Sequence, residues 1–138
     1  VPPSFTPVGE KPAHPEDLTS PRTAKKRALG GKYAHLAFDD SSATQPMKLK
    51  TGGHLGWEFD ARTPINHVTL TVAEPGEHAW SLEGRGDDGG WVAIGEYSAM
   101  FRWDHQTRVF TVDAAPYSAY RIVADCPIHV SQLELLQL

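Results

Sequence analysis

The sequence predicts an all-β fold, an antiparallel β-sandwich of about eight strands, and three observations carry that reading. From residue 30 onward, short apolar runs recur, each closed by Gly, Pro, Asn or Asp. Several of these runs alternate with a period of two, and no segment carries a helical period with caps. Val, Thr, Tyr, Trp and Phe dominate them, the side chains that suit a pleated surface.

The expected strands cover residues 33–38, 55–60, 65–73, 79–84, 91–98, 108–113, 119–124 and 128–138. His67-Val68-Thr69-Leu70-Thr71-Val72 puts Val68, Leu70 and Val72 on one face. Trp80, Leu82 and Gly84 share a face in the same way. Asp87-Asp88-Gly89-Gly90 then supplies the glycines a tight hairpin needs for positive φ. Val130, Leu133, Leu135 and Leu138 break strict alternation, so a bulge is expected in the last strand.

Residues 1–28 read differently, as a proline-rich lead-in or linker before a sandwich over 29–138. Pro2, Pro3, Pro7, Pro12, Pro15 and Pro21 fall there among few apolar side chains. Such a stretch can wrap a surface but builds no core alone. Its basic residues Arg22, Lys25, Lys26 and Arg27 read as a solvated face.

A length of 138 residues suits one domain, and 40% hydrophobic with 22% charged residues is ordinary for a globular chain. A net charge of −4 argues against nucleic acid as a partner, which would require a basic stripe. No apolar run approaches the roughly 20 residues of a membrane helix, so no membrane insertion is expected. The opening Val-Pro-Pro-Ser lacks a signal-peptide layout, consistent with a processed chain or a piece of a longer one. Cys126 has no second cysteine to pair with and reads as a small buried side chain.

Five landmarks, over residues 36–44, 56–60, 80–91, 120–122 and 131–136, follow one another in an order that resembles discoidin domains of the coagulation factor 5/8 type C kind, which have a galactose-binding-like jelly roll. Leu36-Ala37-Phe38-Asp39-Asp40-Ser41-Ser42-Ala43-Thr44 resembles their aspartate-led turn. Gly56-Trp57-Glu58-Phe59-Asp60 resembles the tryptophan strand, followed by Pro64-Ile65-Asn66-His67-Val68. Trp80-Ser81-Leu82-Glu83-Gly84 with the Asp-Gly turn and Trp91 resembles the next hairpin. Tyr120-Arg121-Ile122 and Ser131-Gln132-Leu133-Glu134-Leu135-Leu136 resemble the closing strands. The match spans residues 31–138 and is most similar to family 32-type carbohydrate-binding modules of bacterial glycoside hydrolases.

The resemblance implies a secreted module, extracellular or periplasmic, tethered to a catalytic domain. It also implies one structural calcium ion, with Asp39, Thr44 and Glu134 as ligands. Two departures stand against it: Asp40 and Ser41 replace the usual Gly and Asp or Asn, and Gln45-Pro46-Met47 replaces an aromatic. An Asx turn at Asp39 without metal accounts for the same residues. The seven histidines never fall at zinc-ligand spacing.

No enzyme is expected. The sequence holds no Gly-x-Ser-x-Gly elbow, phosphate loop or His-Glu-x-x-His helix. The pairs Asp39–Asp40 and Asp87–Asp88 are sequence neighbours that face opposite ways in extended chain.

Sugar binding requires an exposed aromatic platform ringed by hydrogen-bonding groups. Trp57, Trp80 and Trp91 occupy strand positions, whereas Trp103 lies in the polar stretch Phe101-Arg102-Trp103-Asp104-His105-Gln106. Trp103 with Arg102, Asp104 and His105 is therefore the candidate ligand site, and His54 after Lys50-Thr51-Gly52-Gly53 a further member. A galactose- or mannose-type glycan is the expected partner. Two rivals stay open: a protein-interaction domain with Trp103 packed over the sandwich edge, and lipid binding through Met100-Phe101-Arg102-Trp103.

Overall fold

The structure, a computed structural model, describes residues 16–17, 27–30, 34–38, 46–113 and 116–137. Its strands are β1 (Glu16–Asp17), β2 (Ala28–Leu29), β3 (Met47–Leu49), β4 (His54–Thr63), β5 (His67–Val72) and β6 (Gly76–Arg85). They continue with β7 (Trp91–Phe101), β8 (Gln106–Thr111), β9 (Tyr117–Ala124) and β10 (Ile128–Gln137). Two five-stranded antiparallel sheets result. Sheet A runs β1-β10-β5-β8, with β3 also pairing β10, and sheet B runs β2-β4-β9-β6-β7. No helix among the described residues is long and apolar enough to cross a membrane.

The core lies between the sheets. Val68, Leu70 and Val72 of β5 meet Leu55 and Trp57 of β4, Tyr120 and Ile122 of β9, and Trp80 and Leu82 of β6 in one buried cluster. Each such side chain contributes about 1.5–3 kcal/mol by leaving water. The expected bulge is present, between Val130 and Gln132. Its physical role is parity: Ile128 and Val130 before it, and Leu133 and Leu135 after it, can all face the core only if one residue is inserted.

The β6–β7 hairpin matches its expected turn. Gly89 takes φ 85°, Gly86 N donates to Gly90 O at 2.8 Å, and Asp88 Oδ1 accepts from Gly90 N at 2.8 Å. Cys126 is half-buried, not fully buried as expected, and its Sγ accepts from Ala79 N at 3.4 Å.

One strand expectation is overturned. Residues of the run 33–38 form a 3-10 helix, Ala34–Phe38, not a strand. Ala34 and Ala37, three apart, share a face in that geometry and are both buried, while Phe38 packs 4.9 Å from the Trp57 ring. An apolar run of this length satisfies either period. Here the Trp57 face selected the helical turn.

At the end of the sandwich opposite the β7–β8 turn, Tyr120 ties two strands together. Its hydroxyl accepts from Tyr117 N at 3.1 Å and donates to Thr63 O at 2.7 Å, where the β4–β9 register breaks. Burial pushes the Tyr120 phenol above its ordinary value. The folded state thus holds this proton more tightly than the unfolded chain, whose phenol titrates at about pH 10. The resulting stability is intact below that pH and falls as pH rises through the folded value. Urea midpoints should therefore drop steeply above about pH 10, and Tyr120→Phe, already weakened at neutral pH by about 1–2 kcal/mol, should show a shallower drop.

Candidate functional site

Strands β7 and β8 are consecutive yet belong to different sheets, so the four residues between them cross one flank of the sandwich. No main-chain ladder joins the two strands. Side chains bridge them instead. Tyr97 Oη donates to Thr111 O at 3.2 Å, Arg108 Nη1 to Met100 O at 2.8 Å, and Arg102 N to Gln106 Oε1 at 2.6 Å. Behind these bridges the Trp80 ring stacks on Tyr97 at 4.6 Å and meets Phe110 edge-on at 5.1 Å.

Trp103 stands on the crossing turn. Its side chain is 59% exposed, the only tryptophan so exposed among the described residues. Arg102, Asp104 and His105, its neighbours in sequence, are exposed with it on the turn. His105 takes φ 58°, the left-handed region, which turns the chain back into β8. Gln106 N closes the turn on Trp103 O at 3.3 Å. The ring is therefore not packed over the sandwich edge.

His54 is exposed at the start of β4, at the same end of the sandwich, but it is not part of this cluster. In sheet B, β4 is separated from β7 by β9 and β6, three strand spacings or about 14 Å.

A neighbouring loop supplies polar groups that the sequence did not flag. Gly76 pairs with Phe101 and Val72 with Gln106, so the β5–β6 loop runs beside the Trp103 turn. On that loop Glu74 lies 3.0 Å from His129 Nδ1 of β10, and Glu74 O lies 3.3 Å from His78 Nε2. Only the register of four strands juxtaposes these residues.

The remaining aromatic and acidic candidates are engaged elsewhere. Trp57 and Trp80 are buried. Trp91 is half-buried on the outer face of sheet B, with the Arg121 guanidinium 4.1 Å and the Arg85 guanidinium 5.8 Å from its ring. Those cations are paired in turn with Glu83 and Glu58. Asp87 is held by Arg62 through two bonds of 3.1 and 2.7 Å.

Of the calcium candidates, Asp39 and Thr44 lie outside the described residues. Glu134 points away from the core, where its carboxylate accepts from Thr69 Oγ1 at 2.8 Å. A carboxylate oxygen is the hard donor calcium takes. Among the described residues no group of three or more His, Cys, Asp or Glu side chains is arranged to hold a metal.

No family model and no curated protein matches the sequence. Solved structures do. The chain is similar to the family 32 carbohydrate-binding module of AlyQ in complex with 4,5-unsaturated mannuronic acid, with TM-score 0.63, 10% identity and 82% of this chain on 93% of that one. It is similar to the family 32 module of C. perfringens NanJ in complex with galactose, with TM-score 0.57, 11% identity and 78% of this chain on 89% of that one. Against truncated AlyQ with its binding and alginate lyase domains, the TM-score is 0.62 at 10% identity, covering 81% of this chain and 31% of that one. At such identities the likeness establishes the fold: a discoidin-like sandwich of the family 32 type.

Proposed function

We propose that this chain is a non-catalytic carbohydrate-binding module whose sugar platform is Trp103. The observation that carries the reading is a large indole held 59% exposed on a turn braced by side chains, with Arg102, Asp104 and His105 beside it. A free indole of that size on a turn is the group on which the apolar C–H face of a sugar stacks. Arg102 and His105 then donate to sugar oxygens, and Asp104 accepts from sugar hydroxyls. Similar folds that bind galactose or an unsaturated mannuronic acid support the choice of ligand class.

The same reading makes the chain an accessory module of a secreted glycan-active enzyme, working outside the cytoplasm. The pairing of a family 32 module with a lyase domain in AlyQ supports it. In this role weak binding suffices, because tethering to a catalytic domain raises the effective concentration of substrate. A calcium ion, where the module holds one, takes Glu134 with Asp39 and Thr44 and serves structure, not chemistry.

The test is a calorimetric titration of the chain with galactose, mannose, their N-acetyl forms and mannuronate oligosaccharides. Saturable binding to one class, with a dissociation constant on the order of 1 mM, is expected. Absence of saturable binding across that panel would overturn the proposal.

A further inference from the structure

We infer that Gln106 is the positioning residue of the Trp103 platform, holding the turn at Arg102 and at Trp103. The inference rests on the sugar-binding reading for its functional consequence, but its structural part stands independently.

The crossing turn has little to hold it by itself. Its own main-chain bond, Gln106 N to Trp103 O, is long at 3.3 Å. His105 sits in a left-handed conformation that a β-carbon disfavours. Because β7 and β8 lie in different sheets, no ladder bond continues across the turn as it would in an ordinary hairpin. A four-residue connection with one weak bond would leave the indole free to sample many directions, and each would have to be given up on binding.

Gln106 replaces the missing ladder. Its backbone is fixed in sheet A by pairing with Val72 of β5, and its side chain is half-buried. From that anchor, Oε1 accepts from Arg102 N at 2.6 Å, while its own N–H reaches Trp103 O. One residue thus holds the N–H of the 101–102 peptide and the carbonyl of the 103–104 peptide, which bracket Arg102 and Trp103. Two positions on, Arg108 extends the grip along the same flank by donating to Met100 O at 2.8 Å. The chemistry of the anchor is specific. It must accept at Oε1, so Glu can replace Gln there, whereas an apolar side chain of similar length cannot.

The experiment compares the wild-type chain, Gln106→Leu and Gln106→Glu by amide hydrogen exchange and by titration with whichever sugar of the panel binds. In Gln106→Leu the Arg102 amide should lose its protection while the amides of β5 and β9 keep theirs. Sugar affinity should fall about five- to tenfold, the worth of one hydrogen bond. Gln106→Glu should restore both the protection and the affinity, which a general loss of packing would not allow. Unchanged Arg102 protection in Gln106→Leu, or wild-type affinity despite lost protection, would overturn the inference. Should the wild-type chain bind no sugar, the functional reading fails by itself, and the Arg102 amide still decides whether Gln106 holds the turn.

Discussion

Replacing Trp80 by alanine should cost the fold about 3–5 kcal/mol, the range found for emptying a buried tryptophan site. Domains of this kind hold about 5–15 kcal/mol in total, so the loss is a large share of it. The physical reason lies in where Trp80 sits. It is fully buried in β6, stacked on Tyr97 of β7 and set edge-on against Phe110 of β8. These rings join the two sheets on the flank where no main-chain ladder exists. Truncation would remove the shared partner of Tyr97 and Phe110 and leave a void too enclosed to collapse cheaply. Urea unfolding followed by far-ultraviolet circular dichroism measures the effect, and a loss below about 1 kcal/mol would contradict the role assigned to this trio. Trp80→Phe, which keeps an aromatic ring, should lose roughly half as much.

Trp103→Ala should do the reverse. Its side chain is exposed and packs no core, so stability should change by less than about 0.5 kcal/mol. Sugar affinity should fall by roughly tenfold to a hundredfold, the size of effect seen when an aromatic anchor is truncated. Trp91→Ala provides the internal control. Its ring already carries the Arg121 guanidinium at 4.1 Å, so its removal should leave sugar binding unchanged. Equal loss of affinity in both variants would contradict the assignment of the platform to Trp103 alone. Loss in Trp91→Ala alone would do so more firmly.

Much of this was readable from the chain because strands announce themselves locally. The alternation of Val68, Leu70 and Val72, the Asp-Gly turn, and the broken parity that required a bulge at Ser131 are all signals within a few residues. Trp103 stood out for the same reason, as an aromatic in a polar stretch with no core pattern to claim it. The run 33–38 misled because five or six residues fit a strand or a helical turn equally, and only packing against Trp57 decides. β3 (Met47–Leu49) has no signature in the sequence, because three residues carry no period.

What local pattern could not disclose is the change of sheet between β7 and β8. Without it Gln106 and Arg108 are ordinary strand residues, and with it they become the bridges across the flank. Likewise Glu74 and His129 meet only through the pairing of β10 with β5, which no local motif encodes. The sequence offers His54 as a further member of the Trp103 site, and only the strand order of sheet B separates the two.

The most direct measurement is a nitrogen-15 NMR titration with the tightest-binding sugar of the panel, followed residue by residue. The indole N–H of Trp103 and the amides of residues 102–105 should move first and furthest, with Ala73 and Glu74 of the adjoining loop next. Shifts centred on Trp91 and Arg121, or saturable binding that leaves the Trp103 indole unmoved, would contradict it.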